Sequence, residues 1–198
     1  MLLKDGRCTS AGGSCRLTGE GCSGTWRTGL CAGPSNRRCC VGGPSVCSVI
    51  PYSNTNFIGD PIHADRAFHS SLDKVNSYAG QCGVKVYITH SWRKIGARLG
   101  NTVVSPASKS NHLVGHAIDF NLQRSGSLCN SVCLTRKYRE SGDNPYKCFL
   151  KKVMSGGLRW GGTFGDPVHI DDHYNANTSR YLTLRDALQA ACKHVPMT

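Results

Sequence analysis

The chain has 198 residues and a formal net charge of +12; hydrophobic residues make up 39% of it, and 23 residues are glycine. This length and composition predict a globular, loop-rich protein with one ordinary domain and one small one, and they exclude a disordered chain. No apolar run approaches the ~20 residues that span a bilayer, so we expect no membrane insertion. The first residues are too few for the apolar region of a signal peptide, so we expect either that a leader has been removed or that the sequence starts at the mature end, with Met1 as an added start.

Twelve cysteines are far more than cytosolic chains usually carry, and none forms the Cys-x-x-Cys pair of a zinc finger. They predict disulfides and a secreted, extracellular protein. Seven cysteines precede residue 50 and five follow it, so an odd number of bridges must join the two groups if all of them pair. We expect Cys47 to form such a bridge and the six cysteines from Cys8 to Cys40 to form three more, whose connectivity the sequence leaves open.

The 24 lysine and arginine residues, against 12 aspartate and glutamate residues, indicate an anionic partner. The basic residues are scattered and accompany no recognition helix or aromatic stacking motif, so we expect no nucleic acid partner. The sequence has no basic amphipathic helix that would indicate binding to a membrane surface. Bacterial wall polymers fit both the charge and the cysteines, and the alternative is that the charge only confers solubility. We expect a monomer.

Residues 1–47 are predicted to form a first domain, a cysteine-rich module that is too short and too rich in glycine to build its own core. Trp26 is either an exposed residue that stacks on a sugar ring or a peptide, or the only large core residue of this module. The module therefore either binds wall material or is a disulfide-bonded cap on the rest of the chain. Residues 48–198 are predicted to form the second domain.

Local signals predict several elements in this second domain. Asp60 and Pro61 favour the start of a helix that reaches about Tyr78. The alternating residues 84–89 predict a strand, and residues 145–154 and 180–193 predict helices with one apolar face each. The polar residues 94–109 and 123–141 predict loops, the second of which is pinned by its two cysteines.

Residues 110–120 are the most informative stretch, because His112 and Asp119 stand seven positions apart in it. The residues on either side of Asp119 are apolar and predict a strand with one apolar face, so the Asp119 side chain should point away from the core. Gly115 allows the backbone to bend between the two polar residues.

A second stretch, residues 160–171, supplies His169 and, three residues before it, Asp166. Two histidines, one ligating aspartate and one free carboxylate are the parts of a catalytic zinc site, in which a fourth position stays open for water. The sequence therefore predicts a Zn²⁺ site with the ligands His112, Asp119 and His169. Asp166 is the candidate base that takes a proton from water and passes it to the leaving amine.

The pattern Ser110-x-His112-x-x-Gly115-x-Ala117-x-Asp119, followed by Asp166-x-x-His169, resembles the zinc D-alanyl-D-alanine carboxypeptidase family over roughly residues 61–194. That family also contains phage-endolysin L-alanyl-D-glutamate peptidases, and the Trp-Gly-Gly-x-Phe run from Trp160 is most similar to that branch. The zinc fold of hedgehog-type signalling domains uses the same spacing between histidine and aspartate. The resemblance does not extend to the cysteine-rich module.

The resemblance also implies roles for residues outside the metal site. It places Arg93 after the strand, where its guanidinium would bind the substrate carbonyl or the oxyanion formed on attack. The match is partial here, because His90 stands where the family has a serine. It favours Asp166 over Asp171 and Asp172 as the base.

These observations predict an α+β fold, with a small antiparallel sheet and flanking helices around a zinc site, plus the small disulfide-rich module. The predicted function is that of a secreted, wall-digesting or antibacterial zinc metallopeptidase that acts on peptidoglycan, of the L-alanyl-D-glutamate endopeptidase or the D-Ala-D-Ala carboxypeptidase type. Two alternatives stay open: a catalytically silent binding or signalling module stabilised by zinc, and a basic antimicrobial protein that acts without catalysis. Asp166 and Arg93 argue against the silent module, because a structural zinc site needs neither.

Overall fold

The computed structural model describes residues 5–22, 24–41, 47–97 and 108–197. The chain divides into two compact units, one made of Met1–Ser48 and Asn177–Lys193 and the other of Val49–Ala176 and His194–Thr198. The predicted α+β class is confirmed, since the chain combines helices with small, mostly antiparallel sheets and has several disulfides in its N-terminal part. The predicted domain boundary after residue 47 stays a prediction; residues 177–193, which we expected in the second domain, group with the first unit.

The described strands are, in chain order, β1 Gly13–Leu17, β2 Thr25–Arg27, β3 Arg37–Val41, β4 Val49–Tyr52, β5 Phe57–Gly59, β6 Ile62–Asp65, β7 Lys85–His90, β8 Ala117–Arg124, β9 Ser127–Cys129, β10 Arg159–Trp160 and β11 His169–Asp171. The described α-helices are α1 Gly6–Ser10, α2 His69–Cys82, α3 Ser131–Arg139, α4 Pro145–Ser155 and α5 Thr178–Ala191. Short 3-10 turns lie between some of them, at Arg66–Phe68, Asn111–Val114 and Gly161–Thr163 among other places. Among the described residues, no helix is both long and apolar enough to cross a membrane.

The first unit is built on a three-stranded antiparallel sheet with the strand order β1-β3-β2. Disulfides replace the core that so short a segment cannot build. The six cysteines of this region form three bridges, as predicted: Cys8–Cys39, Cys15–Cys31 and Cys22–Cys40. The predicted bridge from Cys47 is also confirmed, and it joins Cys192 at the end of α5.

The second unit is built on a six-stranded sheet with the order β10-β11-β8-β7-β5, and β9 pairs with β8. Its neighbouring strands are antiparallel except for the parallel pair β5 and β7. One face of the central strand β8 carries Ile118, Phe120 and Leu122, which are fully buried in a core shared with side chains of α2 and α4. This core occupies one face of the sheet, and the polar residues of β8 and β11 therefore project from the other.

The helix predicted from Pro61 begins later than expected, at His69. The preceding residues form β6, which pairs with β4, and Asp65 caps the 3-10 turn that follows by accepting a hydrogen bond from the Ala67 N–H at 2.8 Å. The prediction was wrong because a pairing with a distant strand overrode the local helix-start signal of Asp60 and Pro61. Such tertiary effects routinely outweigh local propensity.

The other predicted elements are closer to the structure. The strand predicted over residues 84–89 is β7, and the helices predicted over residues 145–154 and 180–193 are α4 and α5, each capped by an asparagine side chain. Residues 123–141 are not only a loop, since they contain β9 and α3. The two cysteines expected to pin this segment bridge each other, as Cys129–Cys133. The loop predicted over residues 94–109 lies largely outside the described residues.

Candidate metal and catalytic site

Three donor atoms converge on the polar face of the six-stranded sheet: His112 Nε2, Asp119 Oδ1 and His169 Nδ1. His112 Nε2 lies 3.1 Å from each of the other two, and these are 3.0 Å apart. Two ligands of a tetrahedral zinc ion, each 2.0–2.1 Å from the metal, would be separated by about 3.3 Å. The three side chains could therefore hold one metal ion with only a small adjustment, while their assignment as ligands stays a prediction.

The pairing of β8 with β11 brings Asp119 and His169 together. His169 lies directly opposite Asp119 in the antiparallel ladder, so both side chains project from the same face of the sheet. Ile118 and Phe120 are fully buried, whereas the Asp119 side chain keeps 24% of its surface exposed. The alternation predicted for this strand is confirmed, and it directs Asp119 away from the core.

His112 lies on the 3-10 turn Asn111–Val114, which ends at Gly115 with a φ of 68°. A Cβ at Gly115 would stand 2.6 Å from the backbone nitrogen of Asp65, and that N–H donates a hydrogen bond to the Gly115 carbonyl at 3.0 Å. Both the left-handed backbone and the close approach favour glycine. The Nδ1–H of His112 donates to the Ser91 carbonyl oxygen at 2.6 Å, which leaves the lone pair of Nε2 directed at the other two donors.

His169 is held by a buried carboxylate. Its Nε2 lies 2.9 Å from Asp171 Oδ2, and Asp171 also accepts hydrogen bonds from Arg159 Nε at 2.8 Å and Nη2 at 2.6 Å. A histidine that donates one ring N–H to a carboxylate presents its other nitrogen to a metal in a fixed orientation. Asp171, a rival of Asp166 for the role of base, is therefore engaged by both a histidine and an arginine.

The charges around the three donors favour a cation. Burial lowers the pKa of His169, but its hydrogen bonds to Asp119 and Asp171 raise that pKa to about 9. Burial raises the pKa of the Asp119 carboxyl, but His112 and His169 hold it well below its ordinary value. Burial likewise raises the pKa of Asp171, and the hydrogen bonds from His169 and Arg159 hold it well below its ordinary range. A site that stabilises positive charge on a buried histidine is also suited to a divalent metal ion.

Asp166 lies on the turn just before His169. Its backbone N–H donates to the Gly161 carbonyl at 2.8 Å, and its own carbonyl accepts from the His169 N–H at 3.1 Å. A Cβ at Gly161 would stand 2.1 Å from the Asp166 carbonyl oxygen, so this glycine allows the turn to close. Burial and the negative charge of Asp119 raise the pKa of the half-buried Asp166 carboxyl. The Asp166 carboxyl therefore interacts electrostatically with the three donor residues, although it is not itself one of the three.

Arg93 follows β7 by three residues, and its side chain is half-buried. Its backbone N–H donates to the His112 carbonyl at 3.1 Å, and Ser91 accepts from the ring of the same histidine, so this segment runs beside the turn of His112. The structure thus brings Arg93 to the site through its backbone, and the role of its guanidinium stays a prediction. His90 lies opposite Asp119 in the pairing of β7 with β8.

His116, the remaining histidine of the first motif, serves a separate cluster. Its Nδ1 lies 2.7 Å from Asp172 Oδ2, and its ring centroid is 4.2 Å from that of Tyr174. Asp172, the other rival base, is therefore engaged with His116. Among the described residues, a cluster of Cys8, Cys15 and Cys31 also has metal-like spacing, but these cysteines are disulfide-bonded and offer no free thiolate.

Sequence reasoning missed Arg159 and the Ser91 carbonyl, because neither lies in a motif and both act only through tertiary contacts. The aromatic residues of the Trp-Gly-Gly-x-Phe run divide between core and surface. Trp160 is buried and donates its Nε1–H to the Pro167 carbonyl at 2.8 Å, which anchors the turn of Asp166. Phe164 is 50% exposed, with the Arg159 guanidinium carbon 4.9 Å from its ring centroid and the His169 ring 6.1 Å away.

Residues 104–172 match the sequence model of a family described as D-alanyl-D-alanine carboxypeptidase. The matched segment contains the three converging donors and Asp166 but not Arg93, and it supports the peptidase family for this part of the chain. A curated protein, lysozyme 1 of Crassostrea virginica, is 54% identical over 37 residues, which are 19% of this chain and 20% of that protein. The chain therefore spans about a fifth of the length of this curated relative.

Proposed function

We propose that the chain is a secreted zinc metallopeptidase that hydrolyses peptide bonds in bacterial peptidoglycan, of the L-alanyl-D-glutamate endopeptidase or the D-Ala-D-Ala carboxypeptidase type. The observation that carries the proposal is the convergence of His112, Asp119 and His169, with their donor atoms 3.0–3.1 Å apart, beside Asp166. These residues lie in the segment that matches the carboxypeptidase family. The disulfides support an oxidising, extracellular location, and the charge of +12 supports an anionic wall polymer as partner.

Zinc fits this donor set, because it accepts two imidazole nitrogens and a carboxylate oxygen and leaves one position open. His112 and His169 would each bind it through one nitrogen while the other is hydrogen-bonded to Ser91 or Asp171. When bound there, zinc supplies Lewis acidity, which lowers the pKa of water and polarises the carbonyl of the scissile bond.

The chain's own residues would handle the protons and position the substrate. Asp166 would take a proton from the attacking water and then donate it to the amine nitrogen as the C–N bond breaks. The burial that raises the pKa of Asp166 also makes its carboxylate a better proton acceptor. Arg93 would bind the carbonyl oxygen, which gains negative charge during attack.

The experiment that tests this proposal measures new amino termini released from purified peptidoglycan, with and without a chelator. It compares the wild type with Asp166→Asn and with Asp143→Asn, a control in which the lost carboxylate is 97% exposed. We expect the wild type and the control to release amino termini. A chelator should abolish this release, and added zinc should restore it. Because a general base contributes about 10²–10⁴-fold, Asp166→Asn should lose at least about 100-fold in rate while it still binds zinc.

The two alternative functions predict other results. Folded, zinc-loaded protein that releases no amino termini from several wall types would contradict the proposal and favour a zinc-stabilised binding module. Wall lysis that survives both the chelator and Asp166→Asn would favour a basic antimicrobial protein that needs no catalysis. Mass spectra of the released fragments would identify the bond that is cut.

We also propose that the first unit binds the anionic wall, and the register of its sheet supports this. Arg16 on β1 lies directly opposite Arg38 on β3. Trp26 lies opposite Cys40, two residues after Arg38, so both arginines and the tryptophan occupy one face of the sheet. Like charges opposite each other destabilise a sheet, and a bound anion relieves that repulsion. Ser14 Oγ accepts a hydrogen bond from Arg16 Nε at 3.0 Å on the same face.

Co-sedimentation of the full chain with purified peptidoglycan, in the Asp166→Asn background, tests this second part. We expect Arg38→Glu and Trp26→Ala each to weaken binding about tenfold, since each removes a contact of roughly 1–2 kcal/mol. Arg7→Glu reverses a charge on α1, outside that sheet face, and should change binding little. Equal binding by all of these variants would show that this face is not the contact surface.

A further inference from the structure

An open groove of about 670 Å³ lies in the second unit beside the turn that carries Asp166. Gly165 and Pro167, on either side of Asp166, form one wall of this groove. The other wall is one stripe of helix α3 and the residue after it, made of Ser131, Val132, Thr135, Arg136, Arg139 and Glu140. These positions recur at intervals of three and four residues, so they lie on one face of the helix.

Helix α3 is held firmly enough to present this stripe in a fixed position. Its inward-facing Leu134 is fully buried in the core of the second unit. Its first turn is capped by the Asn130 side chain, which accepts from the Cys133 N–H at 3.2 Å, and the Cys129–Cys133 bridge ties it to the end of β9. A preformed groove loses less entropy when it binds a ligand than a mobile one does.

The charges of the groove favour an anion with an aliphatic part. Arg136 has a side chain that is 69% exposed, and Arg139 is also exposed. Glu140 is the one acid among the lining residues, and it is already paired with Lys137 at 2.9 Å and with Arg136 at 3.9 Å. Val132, 75% exposed, adds an apolar surface to the same wall of the groove.

The groove borders the turn that carries the candidate base of the proposed catalytic site. Consecutive Cα atoms are about 3.8 Å apart, so the lining residues Gly165 and Pro167 lie within one peptide unit of the candidate base Asp166. The Asp166 carbonyl in turn accepts a hydrogen bond from the His169 N–H at 3.1 Å, which links this turn to one of the three donor residues. The groove therefore lies near enough to Asp166 to receive neighbouring residues of a peptide whose scissile bond lies at the three donors.

We propose that this groove binds the acidic part of the substrate peptide, with Arg136 and Arg139 binding its carboxylate and Val132 and Pro167 contacting its aliphatic portion. The inference rests on the proposed peptidase function and deepens it, because it assigns a carboxylate of the substrate peptide to a binding site outside the metal centre. Arginine suits this role, since its forked donors match a carboxylate.

The test uses a synthetic wall stem peptide with free carboxylates and the same peptide with every carboxylate amidated. Isothermal calorimetry measures the Kd of both for zinc-loaded full chain carrying Asp166→Asn, and steady-state kinetics measures KM and kcat in the active background. The test variant is Arg136→Ala with Arg139→Ala. The matched control is Arg124→Ala, an exposed arginine at the end of β8 that does not line the groove.

We expect the free-acid peptide to bind the unaltered groove about tenfold more tightly than the amidated peptide, as two charge-assisted contacts in an exposed groove allow. The double variant should lose this preference, with the loss in KM and Kd rather than in kcat, and Arg124→Ala should keep it. Equal affinity for the two peptides, no binding of either peptide, or the same loss in the control would overturn the inference. Failure of the proposed function looks different, because the wild type would then cleave neither peptide while calorimetry still reports on the groove.

Discussion

Replacing Asp171 by asparagine removes the charge that holds His169 while it keeps almost the same side-chain shape. The two oxygens of Asp171 accept hydrogen bonds from His169 Nε2 at 2.9 Å, from Arg159 Nε at 2.8 Å and Nη2 at 2.6 Å, and from the His173 N–H at 3.0 Å. Asparagine keeps one acceptor oxygen and replaces the other by an NH₂ donor. With its oxygen at the Oδ2 position it still accepts from His169 Nε2 and Arg159 Nη2, but it loses the negative charge and the bonds that Oδ1 accepts from Arg159 Nε and the His173 N–H.

The expected losses follow from these contacts. Mutating the carboxylate that orients a metal-ligating histidine costs about 10–100-fold in metal affinity, or about 1.4–2.7 kcal/mol. In the metal-free protein the variant also separates Arg159 from its carboxylate, and breaking a buried pair in this way costs about 3–5 kcal/mol. Because the Arg159 side chain is 29% exposed and regains part of its hydration, we expect a loss of about 2–3 kcal/mol in the free energy of unfolding.

Competition with a chromophoric chelator measures the zinc dissociation constant, and urea unfolding of the metal-free protein measures the stability. Asp143→Asn is the matched control, since its carboxylate is 97% exposed and 3.9 Å from its nearest cationic partner, Lys151. If Asp171→Asn folds and binds zinc as tightly as the wild type, the Asp171 carboxylate does not orient His169 for a metal, and this reasoning is refuted.

Two further predictions concern stability. Replacing both cysteines of the Cys82–Cys148 bridge by serine should lower the free energy of unfolding by about 4 kcal/mol, because this bridge closes a sequence separation of 66. The same replacement at Cys129–Cys133, which closes a separation of only 4, should lower it by about 2 kcal/mol. Urea unfolding measures both losses, and equal losses would contradict this loop-length argument. Burial lowers the pKa of His116, but the hydrogen bond to Asp172 at 2.7 Å and the Asp65 carboxylate 3.7 Å from Nε2 raise it above its ordinary 6.5. Protonation of His116 thus stabilises the fold fully below pH 6.5, and this stabilisation is lost as the pH rises through the folded pKa. Over that range the free energy of unfolding of the metal-free wild type should fall by up to about 1.4 kcal/mol per pH unit more than that of His116→Gln. Parallel profiles of stability against pH for the two proteins would contradict this.

Several features of the site were predictable because their signals are local. The alternation around Asp119 indicated a strand with one buried face, and the glycine at position 115 indicated a bend that its φ of 68° confirms. The odd numbers of cysteines before and after residue 50 required a bridge between the two groups, and Cys47–Cys192 is that bridge. These inferences needed only residue spacing and counting.

Other features depend on strand pairings that the sequence does not display. The segment after Pro61 has a good helix-start signal, yet it forms a strand because β4 pairs with it. The sequence leaves Asp171 as a rival candidate for the base, but its position opposite Arg159 in the pairing of β10 with β11 makes it the partner of both that arginine and His169. No periodicity in the sequence indicates which nitrogen of His169 faces the other donors, because that is decided by the carboxylate behind the ring.

The buried face of the sheet accounts for the geometry on its polar face. Ile170 of β11 lies opposite Ile118 of β8, and both side chains are fully buried in the core. A slip of one residue between these strands would turn Ile170 toward the polar face and His169 into the core, so the burial of the two isoleucines specifies the register. The same register sets His169 opposite Asp119.

The turn of Asp166 follows from the same packing. Trp160 of β10 lies opposite Ile170, is buried beside it in the core, and donates its indole N–H to the Pro167 carbonyl at 2.8 Å. That bond ties the residue after Asp166 to a core side chain, and the Gly161 carbonyl holds the Asp166 N–H at 2.8 Å from the other side. The candidate base is thus positioned by the side chains of Trp160 and Ile170, which are buried in the core. Substitutions at Trp160 or Ile170 should therefore disturb the site by moving its strands and its turn, without removing any of its chemical groups.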